Sequence, residues 1–161
     1  MLISLNGWEV FLPDFSLILF FIAFLAFSLF SQQAEAQADK IVGMWKTIDD
    51  ETKEEKSYVK IYKASNGFYY GKVTKLLKDP QDKKCEECKG KLHNKPIVGM
   101  VILIKMKADG DKLEDGKILD PGNGKFYHCT MELDSNDKLK VRGSLDGWGI
   151  AGRTQYWYRI K

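Results

Sequence analysis

The chain has 161 residues, 44% of them hydrophobic, with 25 Lys and Arg against 22 Asp and Glu and three cysteines. That length leaves no room for a multidomain enzyme. The lysines are scattered among acids, and the three arginines are Arg142, Arg153 and Arg159; this is a solvated Lys-rich surface, not the clustered cations of a nucleic-acid binder.

The first element is an apolar run over residues 17–30, followed by Ser31-Gln32-Gln33-Ala34-Glu35-Ala36-Gln37-Ala38. A short hydrophobic stretch ending in small residues at A-x-A spacing is what a signal peptidase reads, with cleavage after Ala36 or Ala38. As a helix the 14 residues of the run reach only about 21 Å, against roughly 30 Å of hydrocarbon, so a cleaved signal over residues 1–38 is favoured over a retained anchor. The absence of Lys and Arg from the first 39 residues is atypical for such a signal, and no cysteine precedes Cys85 to carry a lipid. After a cut at Ala36, 125 residues remain, with 19 acids against all 25 cations, a net charge of +6. The expectation is an exported protein, periplasmic or secreted, that touches a membrane only through an uncleaved leader.

From residue 39 onward the hydrophobic period is two, and turn signals recur at short intervals. Residues 43–47 read as the first strand. Residues 58–62 follow, with Val59 and Ile61 on one face, and Asn66-Gly67 turns the chain into residues 68–73. The acids Asp49, Asp50, Glu51, Glu54 and Glu55, mixed with Lys53 and Lys56, read as a solvated hairpin loop rather than a carboxylate dyad or calcium site.

A long polar connection then carries Cys85-Glu86-Glu87-Cys88. A thioredoxin-type motif needs a strand before it and a helix after it, and a haem attachment needs His after the second Cys, where this chain has Lys89. Zinc needs four ligands, or three and a water. Cys85, Cys88 and His93 supply three, but of the remaining candidates Cys129 reads as buried and His128 faces the other way. A local disulfide therefore ranks ahead of a metal clip, with redox catalysis last. It closes so small a ring that it adds only about 2 kcal/mol and chiefly stiffens its loop.

Residues 97–104 are nearly all apolar and read as a strand covered on both faces. Residues 116–120 form a short strand, and Pro121-Gly122-Asn123-Gly124 turns the chain. In residues 125–134, Tyr127, Cys129, Met131 and Leu133 face inward. Residues 139–143 and 153–160 complete eight strands. They are expected to close as an all-β, eight-stranded antiparallel up-and-down barrel over residues 39–161, removing unpaired edges and leaving an interior for side chains or one small ligand; a two-sheet sandwich is the alternative.

Gly43-x-Trp45 on the first strand and Arg159 on the last resemble the lipocalin-like (calycin) pattern, in which the tryptophan plugs the barrel floor and the arginine packs across it. A wider resemblance covers nearly all of the chain after the leader. Gly43-x-Trp45, Gly71-Lys72-Val73, Lys95-Pro96-Ile97-Val98-Gly99-Met100-x-Ile102-Leu103, Gly116-Lys117-Ile118-x-Asp120-Pro121-x-x-Gly124-Lys125-x-Tyr127, Leu139-x-Val141-Arg142-Gly143 and Gly152-Arg153-Thr154-x-x-Trp157-x-Arg159 occur in that order. Together they resemble a family of small exported bacterial proteins known only as a domain of unknown function. The resemblance implies a secreted, single-domain, lipocalin-like barrel and carries no catalytic residue.

The motif residues have structural readings of their own. Asp120 is placed to accept turn amides or meet an arginine, and Arg142, opposite in facing to Leu139 and Val141, to form an ion pair at the rim. Arg153, Trp157 and Arg159 share one parity; if Arg159 stacks on Trp45, Trp157 lines the interior. No Ser–His pair marks a nucleophile. The chain reads as a non-enzymatic module of the cell envelope without metal or cofactor. Ile61, Tyr127, Met131, Val141 and Trp157 are the candidate wall of a pocket for a small apolar ligand. An envelope protein held by the Cys85/Cys88 loop, or a metal or thiol-redox role for that loop, are the alternatives.

Overall fold

Wherever apolar residues alternate with polar ones, the computed structural model, which describes residues 37–147 and 151–161, forms strands. The strands are β1 (Gly43–Ile48), β2 (Glu55–Lys63), β3 (Tyr69–Leu76), β4 (Val101–Asp109), β5 (Lys112–Asp120), β6 (Lys125–Ser135), β7 (Lys138–Ser144) and β8 (Gly152–Arg159). Each pairs antiparallel with the next, and β8 returns to β1 through Trp45 opposite Arg159 and Thr47 opposite Trp157, so the sheet is a closed barrel. Closure leaves no strand edge unpaired, which is what separates this arrangement from a sandwich. The proposed signal over residues 1–38 lies almost wholly outside the described residues, among which no helix is long and apolar enough to cross a membrane.

One end of the barrel is packed shut. A 3₁₀ turn, Asp39–Ile41, lies ahead of β1, and its Ile41 carbonyl accepts the indole N–H of Trp45 at 2.8 Å. The Arg159 guanidinium stacks on the Trp45 ring, 4.2 Å from its centroid, and donates to the carbonyls of Lys40, Val42 and Asn136 at 2.6, 3.1 and 2.8 Å. A side chain at position 43 would collide with this guanidinium: its Cβ would lie 2.7 Å from Nη1. Above this plug Val59, Ile61, Tyr69, Met106, Leu113, Met131 and Leu139 are fully buried. A Cβ at Gly116 would fall 2.3 Å from the Met106 sulfur, so the missing side chain makes room for Met106.

Several strand boundaries differ from the sequence expectation, most of all those of β4 and β5. β4 begins at Val101, because residues 97–100 bend into a turn in which Gly99 takes φ +89° and the Met100 amide donates to the Ile97 carbonyl. The β4–β5 hairpin is also longer than the expected strands, reaching Asp109 and starting again at Lys112. Lys105 and Asp115 take φ +53° and +57°, in the left-handed region, and the ladder skips from Ile104–Lys117 to Lys107–Glu114. This bulge breaks the alternation, so Leu103 and Met106 both face inward although three positions apart.

Candidate functional site

The other end of the barrel is open. There the β1–β2 loop, the long β3–β4 connection, the β5–β6 turn and the start of β8 surround a cavity of about 550 Å³. Its wall is apolar, formed by Val73, Leu76, Ile102, Leu119, Val141 and Trp157. Polar side chains are set into this wall: Thr47, opposite Trp157, and Ser57, whose hydroxyls bond each other at 2.8 Å, and Tyr127, whose hydroxyl accepts from Asn123 at 3.0 Å.

Of the five residues proposed as ligand contacts, Tyr127, Val141 and Trp157 line this cavity. Ile61 and Met131 do not; both are fully buried. Ile61 pairs with Gly43 and Gly71 near the floor, and Met131 pairs with Leu113. Both share the inward parity of the wall; Ile61 lies beside the floor, whereas Met131 is also the cross-strand partner of the wall residue Val141. Trp157 is 1% exposed, while its neighbours Tyr156 and Tyr158 stand on the outer surface. The shared parity puts Arg153 at the rim and Arg159 at the floor, with Trp157 between them.

The acid-rich loop is part of the rim rather than free in solvent. Arg153 bonds Asp50 and also Glu51, the latter at 3.1 Å, and Gln155 donates to Asp50 at 3.1 Å. Asp49 accepts from Lys56 at 2.8 Å and from the Thr52 and Glu51 amides at 2.8 and 3.0 Å. These bonds, first that of the Lys56 ammonium and then that of the Thr52 amide, hold the Asp49 carboxyl far below the usual carboxylate range. Because the folded value is depressed, its stabilising effect is complete above the unfolded value of about 4 and is lost only as pH falls below it. Amide exchange at Thr52 is therefore expected to keep its protection factor at pH 5 and lose it in stronger acid; loss already above pH 5 would contradict the latch.

Asp120 accepts the Gly122 amide at 2.9 Å and the Asn123 side chain at 3.0 Å, so it organises the turn. Arg142 lies on the outer face and donates to Thr154 at 3.1 Å. Cys85 and Cys88 form a disulfide, and both are buried. The two sulfurs are bonded to each other and enclosed, and the ring of His93 is engaged with the Cys88 carbonyl and the Asn94 side chain. Cys129 is the free thiol, and burial pushes it up to about 12.

The disulfide loop is a structural wall of the mouth. Cys85 Sγ sits 3.4 Å from the Pro121 carbonyl oxygen, and Gly124, at φ +68°, lies directly beneath the Glu87 carbonyl. Residues 83–85 pair with 94–97 through Cys85 N to Lys95 O, Asn94 N to Cys85 O and Ile97 N to Lys83 O, all at 2.9 Å. The loop thereby presents Asp79, Lys83 and Ile97 to the cavity. Sequence alone gave no signal for Thr47, Ser57, Val73, Ile102 or Leu119 as wall residues, because parity along a strand does not report depth.

An up-and-down barrel closed at one end by a 3₁₀ turn, a tryptophan and an arginine, and open at the other onto an apolar cavity, is a lipocalin-like barrel. The chain belongs to the bacterial family described as "Uncharacterized protein conserved in bacteria (DUF2147)", whose model matches residues 43–159. It is also similar to a solved structure described as protein HP1028 from the human pathogen Helicobacter pylori, belonging to the lipocalin family. The two share 26% identity over 75% of this chain and 83% of that one, with a TM-score of 0.67. No curated protein matches the chain.

Proposed function

We propose that this protein is an exported, non-enzymatic binding module that holds a small, largely apolar molecule in the open half of its barrel. The observation that carries this reading is the cavity of about 550 Å³, whose wall is mainly aliphatic and aromatic with a few polar side chains set into it. That volume lies within the usual range for small-molecule sites, and a few fixed polar groups around an apolar interior are how such sites orient a ligand. Lipocalin folds are generally associated with small hydrophobic ligands. Export is supported by the leader, and a disulfide suits an oxidising compartment.

The experiment is to titrate the purified protein with the apolar fluorophore N-phenyl-1-naphthylamine and repeat the titration with Val141→Phe. Val141 is in the wall, so the larger ring fills open volume. The wild type is expected to bind the fluorophore and the variant to bind it at least tenfold more weakly, with unfolding free energy changed by no more than about 1 kcal/mol. Equal binding by both proteins would remove the cavity as the site.

A further inference from the structure

We propose that the outer face of the β2–β3 hairpin is a docking surface for an anionic lipid bilayer, a contact made by the barrel itself in addition to any made by the leader. The lysines are scattered in the sequence, but the register gathers three of them here. Tyr58 stands opposite Lys75, Lys60 opposite Lys72, and Tyr62 opposite Tyr70. Alternation sends these six side chains outward, away from the buried Val59, Ile61 and Val73, and the three lysines are exposed. None of the three is in an ion pair among the described residues, whereas Lys46, Lys138 and Lys140 on the neighbouring strands each have an acid. Like charges set directly opposite each other on adjacent strands cost stability, so the fold gains nothing from the Lys60–Lys72 pair. An unneutralised cluster of this kind is complementary to an anionic surface.

The surroundings of the lysines select the bilayer among anionic surfaces. The row through Lys60 and Lys72 continues into Met44 of β1 on one side and Val101 of β4 on the other, both half-buried. Two cations flanked by apolar side chains suit a layer that offers phosphate charge and hydrocarbon together, and the apolar flanks are of no use to a hydrated glycan. The tyrosines point the same way. Tyr62 and Tyr70 stack on each other with centroids 6.0 Å apart, and the Lys75 ammonium lies 5.9 Å from the Tyr58 ring centroid, so ring faces on which a sugar would stack are engaged within the protein. Ring edges and hydroxyls remain, the parts that a tyrosine places at headgroup level, while lysines reach past them to the phosphates. None of the six residues lines the cavity, so the surface and the cavity are tested apart.

The test is sedimentation with vesicles of phosphatidylcholine alone and of phosphatidylcholine mixed with phosphatidylglycerol, read as the ratio of the two partition coefficients. An apolar leader without Lys or Arg would add to both and leave the ratio unchanged. The wild type is expected to prefer the anionic vesicles by about tenfold or more at low ionic strength, and to lose that preference as salt is added. Lys60→Gln combined with Lys72→Gln and Lys75→Gln should abolish the preference, and the variant should melt at the same temperature as the wild type or higher, because the like-charge pair is gone. Lys107→Gln combined with Lys112→Gln and Lys117→Gln removes the same charge from β4 and β5 and should keep the preference. A wild type without the preference, or two variants that lose it equally, would overturn the inference. Retention on immobilised alginate without binding to vesicles would overturn it too, and would give the face to an anionic glycan.

Discussion

Trp45→Ala is expected to destabilise the barrel by about 3–5 kcal/mol, the cost of removing a fully buried large aromatic from a packed site. The expectation is at the upper end of that range, because the ring does three things at once. It fills the floor, donates to the Ile41 carbonyl, and supports the guanidinium of Arg159. Without it the 3₁₀ turn loses its tie to β1, and Arg159 keeps its three carbonyl bonds with nothing beneath it. Urea unfolding checks this through a fall in the midpoint at unchanged slope. Arg159→Lys is the matching control. It keeps the charge but loses the planar fork that reaches several carbonyls, and should cost about 1–2 kcal/mol. A Trp45→Ala cost below that of Arg159→Lys would mean that the floor is held by the carbonyl bonds and not by the plug.

The second large effect is expected at Gly124, where two independent constraints coincide. At φ +68° any L side chain is strained, and the added Cβ would stand 1.9 Å from the Glu87 carbonyl oxygen and 2.4 Å from its carbon. Both atoms are backbone, in a loop held by a disulfide and by three cross-links to residues 94–97, so they have little freedom to retreat. Gly67 separates the two constraints: it has φ +81°, with nothing within 4 Å of an added Cβ. Gly67→Ala should show only the backbone term, about 1 kcal/mol, whereas Gly124→Ala should cost about 3 kcal/mol or displace the loop. Because that loop forms part of the cavity mouth, Gly124→Ala should also speed fluorophore release, while Gly67→Ala should not. Equal effects of the two substitutions on stability and release would show that the loop yields freely.

The fold was more legible in the sequence than the site, and the reason is geometric. Alternation along β6 reports which side chains face inward, and Tyr127, Cys129 and Met131 do so. The turn at Asn66-Gly67 and the pairing of Trp45 with Arg159 are likewise carried by residues whose chemistry is local. Depth is not local. Ile61 and Val73 have the same parity, yet the packing of Trp45, Met106 and Leu113 fills the barrel around one and leaves the other beside open volume. The rim was equally hidden, since Asp50 and Arg153 lie 103 residues apart and meet only after the sheet has closed. The bulge at Lys105 and Asp115 could be read only from the backbone, because lysine does not announce a positive φ and aspartate, though enriched there, is far more often found elsewhere.

The seam between β1 and β8 has a bearing on when this protein can exist as a folded object at all. Arg159 reaches back 119 residues to the Lys40 carbonyl, and its strand contributes the last wall of the barrel. Until β8 has been made, β1 and β7 remain open edges and the floor has no guanidinium across it. Contacts so distant in sequence make folding slow compared with a helical bundle, because a long loop must close before the contacts that reward closure can form. A nascent chain with this topology cannot close its sheet before β8, the last of the eight strands, has been made.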